Sequence, residues 1–291
     1  MFERVLLPTD FSAHSKMVWK VLGQLPEVKE VLLLHIIYRD PISRSWDPAS
    51  EQQDARKMID KQCLELSSIM PGLKVRSRVE IVTEGSNHRA IDRVAREEGM
   101  TFIAMGARGK GAVATLFLGS TTRGLVAYGS DHLLIMRYRN VDGNLVDFRP
   151  ALLSRMLIPT DFSDKSKAVI DYFAKMPGVS QICLAHVVSH GETEKEIDLS
   201  FQEAAAKLRK IAANLEEKGA KATVHVAVGD PAEQINAIAE SQDVSLIAIS
   251  SQGSHSPVGW DIGNTAYDVS NMAKRPVLLM RSNKARVYEY R

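Results

Sequence analysis

Residues 4–16 read RVLLPTDFSAHSK, and residues 155–167 read RMLIPTDFSDKSK. Nine of these thirteen positions are identical, so the chain carries one unit twice. In each stretch a short apolar run before the proline has the character of a buried strand, and the serine after Phe11 is a good N-cap for a helix.

Working outward, Pro8 matches Pro159 and His35 matches His186, each pair 151 residues apart, whereas Gly85 matches Gly229 and Arg137 matches Arg281 at 144. The first copy therefore holds 151 − 144 = 7 additional residues. They fall between Tyr38 and Gln53, a stretch with Pro41, Trp46 and Pro48 that reads as an enlarged surface loop leading into a helix. The pattern of the first copy predicts strands at Val5–Leu7, Val31–Ile37, Lys74–Val82, Phe102–Met105 and Leu133–Arg137. Helices are predicted from Ser12 to about Leu25, Ser50 to Ile69 (ended by Pro71-Gly72), Asn87 to Glu98 and Ser120 to Tyr128. The second copy repeats the strands near 155–158, 181–188, 221–228, 245–249 and 276–280. Five strands alternating with four helices predict a doubly wound parallel sheet with helices on both faces, an α/β fold, with right-handed crossovers. The domains are read as 1–138 and 153–291, joined by a linker at 139–152 whose Asp142-Gly143-Asn144 signals a turn.

The bulk numbers bound the function. The 291 residues suit two domains, and 45% hydrophobic with 25% charged residues is ordinary globular composition. A net charge of +2 gives no footprint for nucleic acid. No run of about 18 apolar residues predicts a membrane span. Cys63 and Cys183 fall in different halves, so no structural disulfide is expected and a reducing compartment suits the chain. Met1-Phe-Glu-Arg runs straight into a strand with no secretory leader pattern, which makes the cytoplasm the expected location.

In an open α/β sheet, ligands sit at the carboxyl ends of strands where the winding reverses. Two segments of each copy land there. The first is Pro8-Thr9-Asp10, where Asp10 either accepts a hydrogen bond from an adenine amino group or ribose hydroxyl, or serves the helix N-terminus that follows. The second follows the fourth strand: Gly106-Ala-Arg-Gly109, nine residues, then Gly119-Ser120-Thr121-Thr122. Gly106 and Gly109 permit positive φ and close approach of a ligand. The helix opening at Ser120 offers N–H groups and a dipole to phosphate, with Ser120 and Thr122 as hydroxyl donors and Arg108 and Lys110 as charges. A Walker A loop is excluded, because Gly109-Lys110 is followed by Gly111.

The spacing G-x2-G-x9-G-[S/T] after strand four, with P-T-D after strand one, resembles the universal stress protein family. So do Leu34-His35-Ile36 and the Val228-Gly229-Asp230-Pro231 turn, and the likeness runs through nearly the whole chain twice. The resemblance implies flavodoxin-like sheets of strand order 3-2-1-4-5 and a cytosolic, stress-induced protein that binds ATP or AMP, with or without Mg²⁺, and often dimerises. Carried over, Asp10 and the Ile36 backbone would face adenine, and Pro8 and Thr9 would line base and ribose. Gly106, Arg108, Gly109, Gly119, Ser120, Thr121 and Thr122 would surround ribose and phosphates. In the second copy Pro159, Thr160, Asp161 and Val187 keep the base side, and Gly253, Gly263, Asn264 and Thr265 the loop. That loop departs from the pattern. Ser250 stands for the first glycine and would be strained if positive φ is needed. Gln252 stands for Arg108, Asn264 for Ser120 and Ala266 for Thr122. The second site is therefore expected to be weaker, adenosine-only or empty.

His35 and His186 read as satisfied near-core histidines, and Cys63 and Cys183 as inert packing. No catalytic constellation or metal-ligand spacing emerges, so binding and signalling with at most weak ATP hydrolysis is expected, through an unidentified protein partner. The alternatives are a slow ATPase using Asp10 as a metal ligand, and a nucleotide-free interaction module. Fifth strands are sheet edges, so the copies are expected to pair as an intramolecular pseudo-dimer, and a homodimer is compatible.

Overall fold

The computed structural model describes residues 1–38, 47–108, 118–142, 144–189, 193–254 and 262–281. The chain divides into two compact units, Met1–Met136 and Arg137–Asn283. The first unit contains β1 (Arg4–Pro8), α1 (Ala13–Met17), α2 (Trp19–Leu22), β2 (Glu30–Tyr38), α3 (Pro48–Ile69), β3 (Lys74–Val82), α4 (Asn87–Glu97), β4 (Phe102–Gly106), α5 (Ser120–Tyr128) and β5 (His132–Met136). The second opens with a hairpin, β6 (Arg139–Val141) and β7 (Asn144–Val146). It continues with β8 (Arg155–Pro159), α6 (Asp164–Ala174), β9 (Gln181–Val188), α7 (Glu194–Glu217), β10 (Lys221–Val228), α8 (Pro231–Ser241), β11 (Leu246–Ser250), α9 (Asn264–Met272) and β12 (Val277–Met280).

Each unit is a parallel sheet of the expected order: β3-β2-β1-β4-β5 in the first and β10-β9-β8-β11-β12 in the second. Both faces of the inner strands are covered, which is why they read as unbroken apolar runs rather than alternating ones. Val5–Leu7, Val31–Leu34, Phe102–Met105 and Leu133–Met136 are buried, as are Met156–Pro159 and Ile182–Ala185. The outermost β3 and β10 are half-exposed along their length.

The winding reverses between β1 and β4, and the ladders show what that does. β1 stays paired with β2 as far as Pro8–Leu34, but its ladder with β4 ends at Leu6–Ile103. In the second unit β8 pairs with β9 as far as Pro159–Ala185, and with β11 only to Leu157–Ile247. The two central strands thus part at their carboxyl ends and leave a crevice there in each unit.

Two local expectations are corrected, and a third is borne out. The single helix predicted from Ser12 to Leu25 is two short pieces. Val21 N–H donates to Val18 O and Gln24 N–H to Val21 O, i→i+3 bonds that tighten the chain where β-branched and aromatic residues crowd. α3 begins at Pro48, read as a loop residue, because Asp47 caps Ala49 and Ser50 and proline is tolerated at the first helical position. Residues 39–46, with Pro41 and Trp46, lie outside the described residues. The turn signal after Val141 makes a hairpin: Val141 pairs with Asn144, and Asp142 takes φ 51°, as a two-residue connection requires.

Candidate functional site

The segment after β1 is built the same way in both units. Thr9 N–H donates to Leu34 O at 2.8 Å and Thr160 N–H to Ala185 O at 2.8 Å, which anchors each strand exit. The threonine hydroxyl then accepts the N–H two residues on, from Phe11 at 3.1 Å and Phe162 at 3.0 Å. Those phenylalanines stand in the left-handed region, at φ 62° and 64°. A bulky residue there is strained and persists only when its surroundings hold it. What holds it is a histidine. His35 lies against Phe11 with ring centroids 4.1 Å apart, and His186 against Phe162 at 4.5 Å. Each histidine directs Nδ1 to the threonine carbonyl at 2.8 Å, so Nδ1 carries the proton. The two histidines lie within β2 and β9 and lock the Pro-Thr-Asp-Phe turn.

The turn sets the aspartates. Asp10 Oδ1 accepts from Ser12 N–H at 3.0 Å and from the Ser12 hydroxyl at 2.5 Å. Asp161 Oδ1 does the same with Ser163, at 3.1 and 2.6 Å. Asp10 is half-buried, Asp161 exposed. Thr9 is buried, its hydroxyl engaged with Gln62 at 3.0 Å and Ser15 at 3.2 Å. Pro8 is half-buried, while Pro159 and Thr160 are buried.

Strand parity places Ile36. Backbone groups of a strand alternate sides, and Leu34 O points to β1. Ile36, two residues on, points the same way but past the end of β1. Val187 stands in the same relation to Ala185 and β8.

The second segment closes on itself. Ala107 N–H donates to Met136 O at 2.9 Å, and Ala107 O accepts from Gly119 N–H at 2.9 Å. The chain thus returns to the end of β4 as α5 begins. Ser251 repeats this with Met280 at 2.8 Å and Gly263 at 2.7 Å. The helix starts are of two kinds, and α2 at Val18 and α4 at Ser86 have no side-chain cap among the described residues. α1, α3, α6, α7 and α8 each begin with a side chain accepting from a first-turn N–H. α5 and α9 begin at Gly119 and Gly263 with no side-chain cap among the described residues. Ser120 and Asn264 are exposed there, with Thr121 and Thr265 half-buried beside them.

Three readings of this loop are revised. Neither Gly106 nor Gly119 has positive φ. Ser250 is therefore not strained. A Cβ on Gly106 would lie 3.1 Å from Arg108 O, and Ser250 converts that tight approach into a hydrogen bond, its hydroxyl donating to Gln252 O at 2.9 Å. Thr122 is buried and donates to Gly106 O at 3.2 Å, tying α5 to β4 rather than facing a ligand. The charge missing at Gln252 is met from α6, where Lys165 Nζ donates to Gln252 Oε1 at 2.7 Å. Gly109 and Lys110 lie outside the described residues.

Sequence reasoning passed over Ser254. Its N–H and hydroxyl donate to Asp161 Oδ2 at 2.6 and 3.0 Å. The protein atoms around the otherwise exposed Asp161 displace part of its water, which alone would push the carboxyl up, but its hydrogen bonds from Ser163 and Ser254 hold it well below the usual carboxylate range. No repeat signal marks Ser254, because Lys110 is its counterpart. Among the described residues no group of three or more His, Cys, Asp or Glu is placed to hold a metal, and no helix is long and apolar enough to cross a membrane.

The universal stress protein family model matches residues 1–136 and again 153–281. Universal stress protein MJ0577 of Methanocaldococcus jannaschii is 25% identical over 163 residues, covering 48% of this chain and 98% of that protein. A universal stress protein of Thermus aquaticus is 26% identical over 137 residues, covering 47% of this chain and all of that one. Among solved structures, a universal stress protein from Archaeoglobus fulgidus covers 97% of this chain and 100% of its own, with TM-score 0.70 and 23% identity, a likeness of fold.

Proposed function

The chain belongs to the universal stress protein family, and from that premise we propose that its first copy binds an adenine nucleotide, ATP or AMP, in the crevice between the carboxyl ends of β1 and β4. The observation that carries this is the start of α5. Among the described residues no side chain caps α5, as none caps α2, α4 or α9, but α5 opens at a glycine whose N–H is pinned to the end of β4, at the crevice itself. Uncapped N–H groups at a helix start are suited to phosphate.

The rest of the crevice supplies what a nucleotide needs. Ser120 adds an exposed hydroxyl and Arg108 a guanidinium for phosphate charge. The Ile36 backbone, aimed past the end of β1, offers a donor and an acceptor to the edge of a base. Asp10, held by the Phe11 turn, accepts from ribose or base. Bound phosphate neutralises the α5 dipole and changes the charge displayed at this end of the sheet, which gives a partner protein a surface to sense. The first copy is thus a binding and signalling module for the stress response; Mg²⁺ would accompany the phosphates rather than a protein ligand cluster.

The test is mass spectrometry on ligand released from the purified, denatured chain, quantified per chain. The expected result is about one adenine nucleotide per chain, lost from R108E, since reversing that charge opposes phosphate. No nucleotide, and no thermal shift on adding ATP or AMP, would leave a nucleotide-free interaction module in its place.

A further inference from the structure

The second copy's aspartate has no acceptor left. An ionised carboxylate offers about four lone-pair sites. Asp161 Oδ1 takes the N–H and hydroxyl of Ser163, at 3.1 and 2.6 Å, and Oδ2 takes the N–H and hydroxyl of Ser254, at 2.6 and 3.0 Å. The Ser163 pair repeats what Ser12 does for Asp10, so it belongs to the turn. The Ser254 pair comes from a different element, the segment leaving β11.

That segment is fixed at further points. The Ser250 hydroxyl holds Gln252 O at 2.9 Å, and Lys165 of α6 holds Gln252 Oε1 at 2.7 Å. Gly253 then crosses the carboxylate so closely that a Cβ there would lie 2.5 Å from Asp161 Oδ2. A side chain at 253 would have to push the carboxylate aside, so glycine suits the crossing, and the crossing delivers Ser254.

We propose that Ser254 latches the second copy shut: the carboxylate that would receive a ribose hydroxyl or adenine amino group is held by the chain's own loop. A nucleoside group can reach Asp161 only by displacing two donors from a charged acceptor, and bonds to charged groups are the strong ones. In the second copy Ser254 then holds the acceptor that a nucleoside would need, and the acceptor is released when that contact is broken. The inference rests on reading the aspartate as a ligand acceptor.

The experiment uses the full chain carrying G119D, which places a carboxylate over the α5 N–H groups and closes the first copy. ATP binding by equilibrium dialysis then reads the second copy. S254P removes both donors, and its ATP dissociation constant should fall about tenfold or more below that of the G119D parent. S254A removes one donor with little structural demand and should give a smaller gain in the same direction. Equal affinity in all three overturns the latch. The contact itself is read without nucleotide, by hydrogen exchange in the wild-type chain. The Ser254 amide should exchange at least about tenfold more slowly than in D161A. Equal rates overturn the latch whether or not the first copy binds. A wild-type chain that takes no nucleotide at all is instead the failure of the proposed function.

Discussion

Gly106 and Ser250 close the fourth strand of their respective units, and the same carbonyl position, Arg108 O or Gln252 O, faces them. Since no positive φ is involved, what matters at this place is whether the side chain can meet that carbonyl as a donor. G106S should therefore keep nucleotide affinity within about threefold of wild type, because the serine can bond Arg108 O as Ser250 bonds Gln252 O. G106V presents a methyl group to the same oxygen and should lose about tenfold or more. Isothermal titration with ATP compares the two; equal loss in both would mean that the position tolerates no side chain. At the two candidate sites positive φ falls instead on Phe11 and Phe162, and composition does not announce them. Their only sequence signal is that Phe-Ser follows Pro-Thr-Asp in both copies. The histidines were legible as satisfied groups. Their task, holding the threonine carbonyl and stacking on the strained ring, needed the fold, because the contact spans 26 residues.

Periodicity made whole elements legible where local preference and tertiary packing agree. α5 and β3 stand where the pattern puts them, and other strand ends differ by a residue or two. The first helix broke because its middle, Val18-Trp19, prefers the tighter turn that the core accepts. Neither the charges of β3 nor those of α4 showed in sequence that they form one network. Arg76 bonds Glu30 at 2.7 Å and Glu98 at 2.8 Å, Arg78 bonds Glu98 at 2.8 Å and Glu97 at 2.7 Å, and Arg93 bonds Glu80 at 2.8 Å and Glu97 at 2.9 Å. β3 is the outer strand of its unit, and such charge discourages pairing with another chain's edge. Glu98 is held below its ordinary value by hydrogen bonds from Arg76 and Arg78, and Glu97 by that from Arg93. Burial alone would raise Glu30, but Arg76 and its neighbours bring it down. A carboxylate with a lowered folded-state pKa stabilises above its unfolded value, and that stability is lost as pH falls through the folded one. The melting midpoint should therefore decline as pH drops from the ordinary glutamate value near 4.5. E98Q should show a shallower decline, and a parallel one would remove Glu98 from the acid response.

The whole molecule is one plan used twice, and the repeat made that plan readable: nine identical residues of thirteen fixed the second sheet once the first was understood. The differences were harder to read, since each acts through a neighbour distant in sequence. Lys165 meets Gln252 across 87 positions and Ser254 meets Asp161 across 93. The central claim is that a phosphate sits at the start of α5, which no side chain caps among the described residues. G119D tests it most directly. Gly119 has φ −62° and ψ 158°, as an N-cap should, and a Cβ there meets nothing closer than 3.6 Å. Aspartate would cap the helix, adding about 0.5 kcal/mol to the ligand-free chain, while barring phosphate by charge and by occupying the same N–H groups. Thermal melts of both chains with and without ATP give the answer. Wild type should rise by about 5 °C at ATP a hundredfold above its dissociation constant, and G119D, no less stable without ligand, should not move. An equal ATP shift in G119D would contradict phosphate binding at α5.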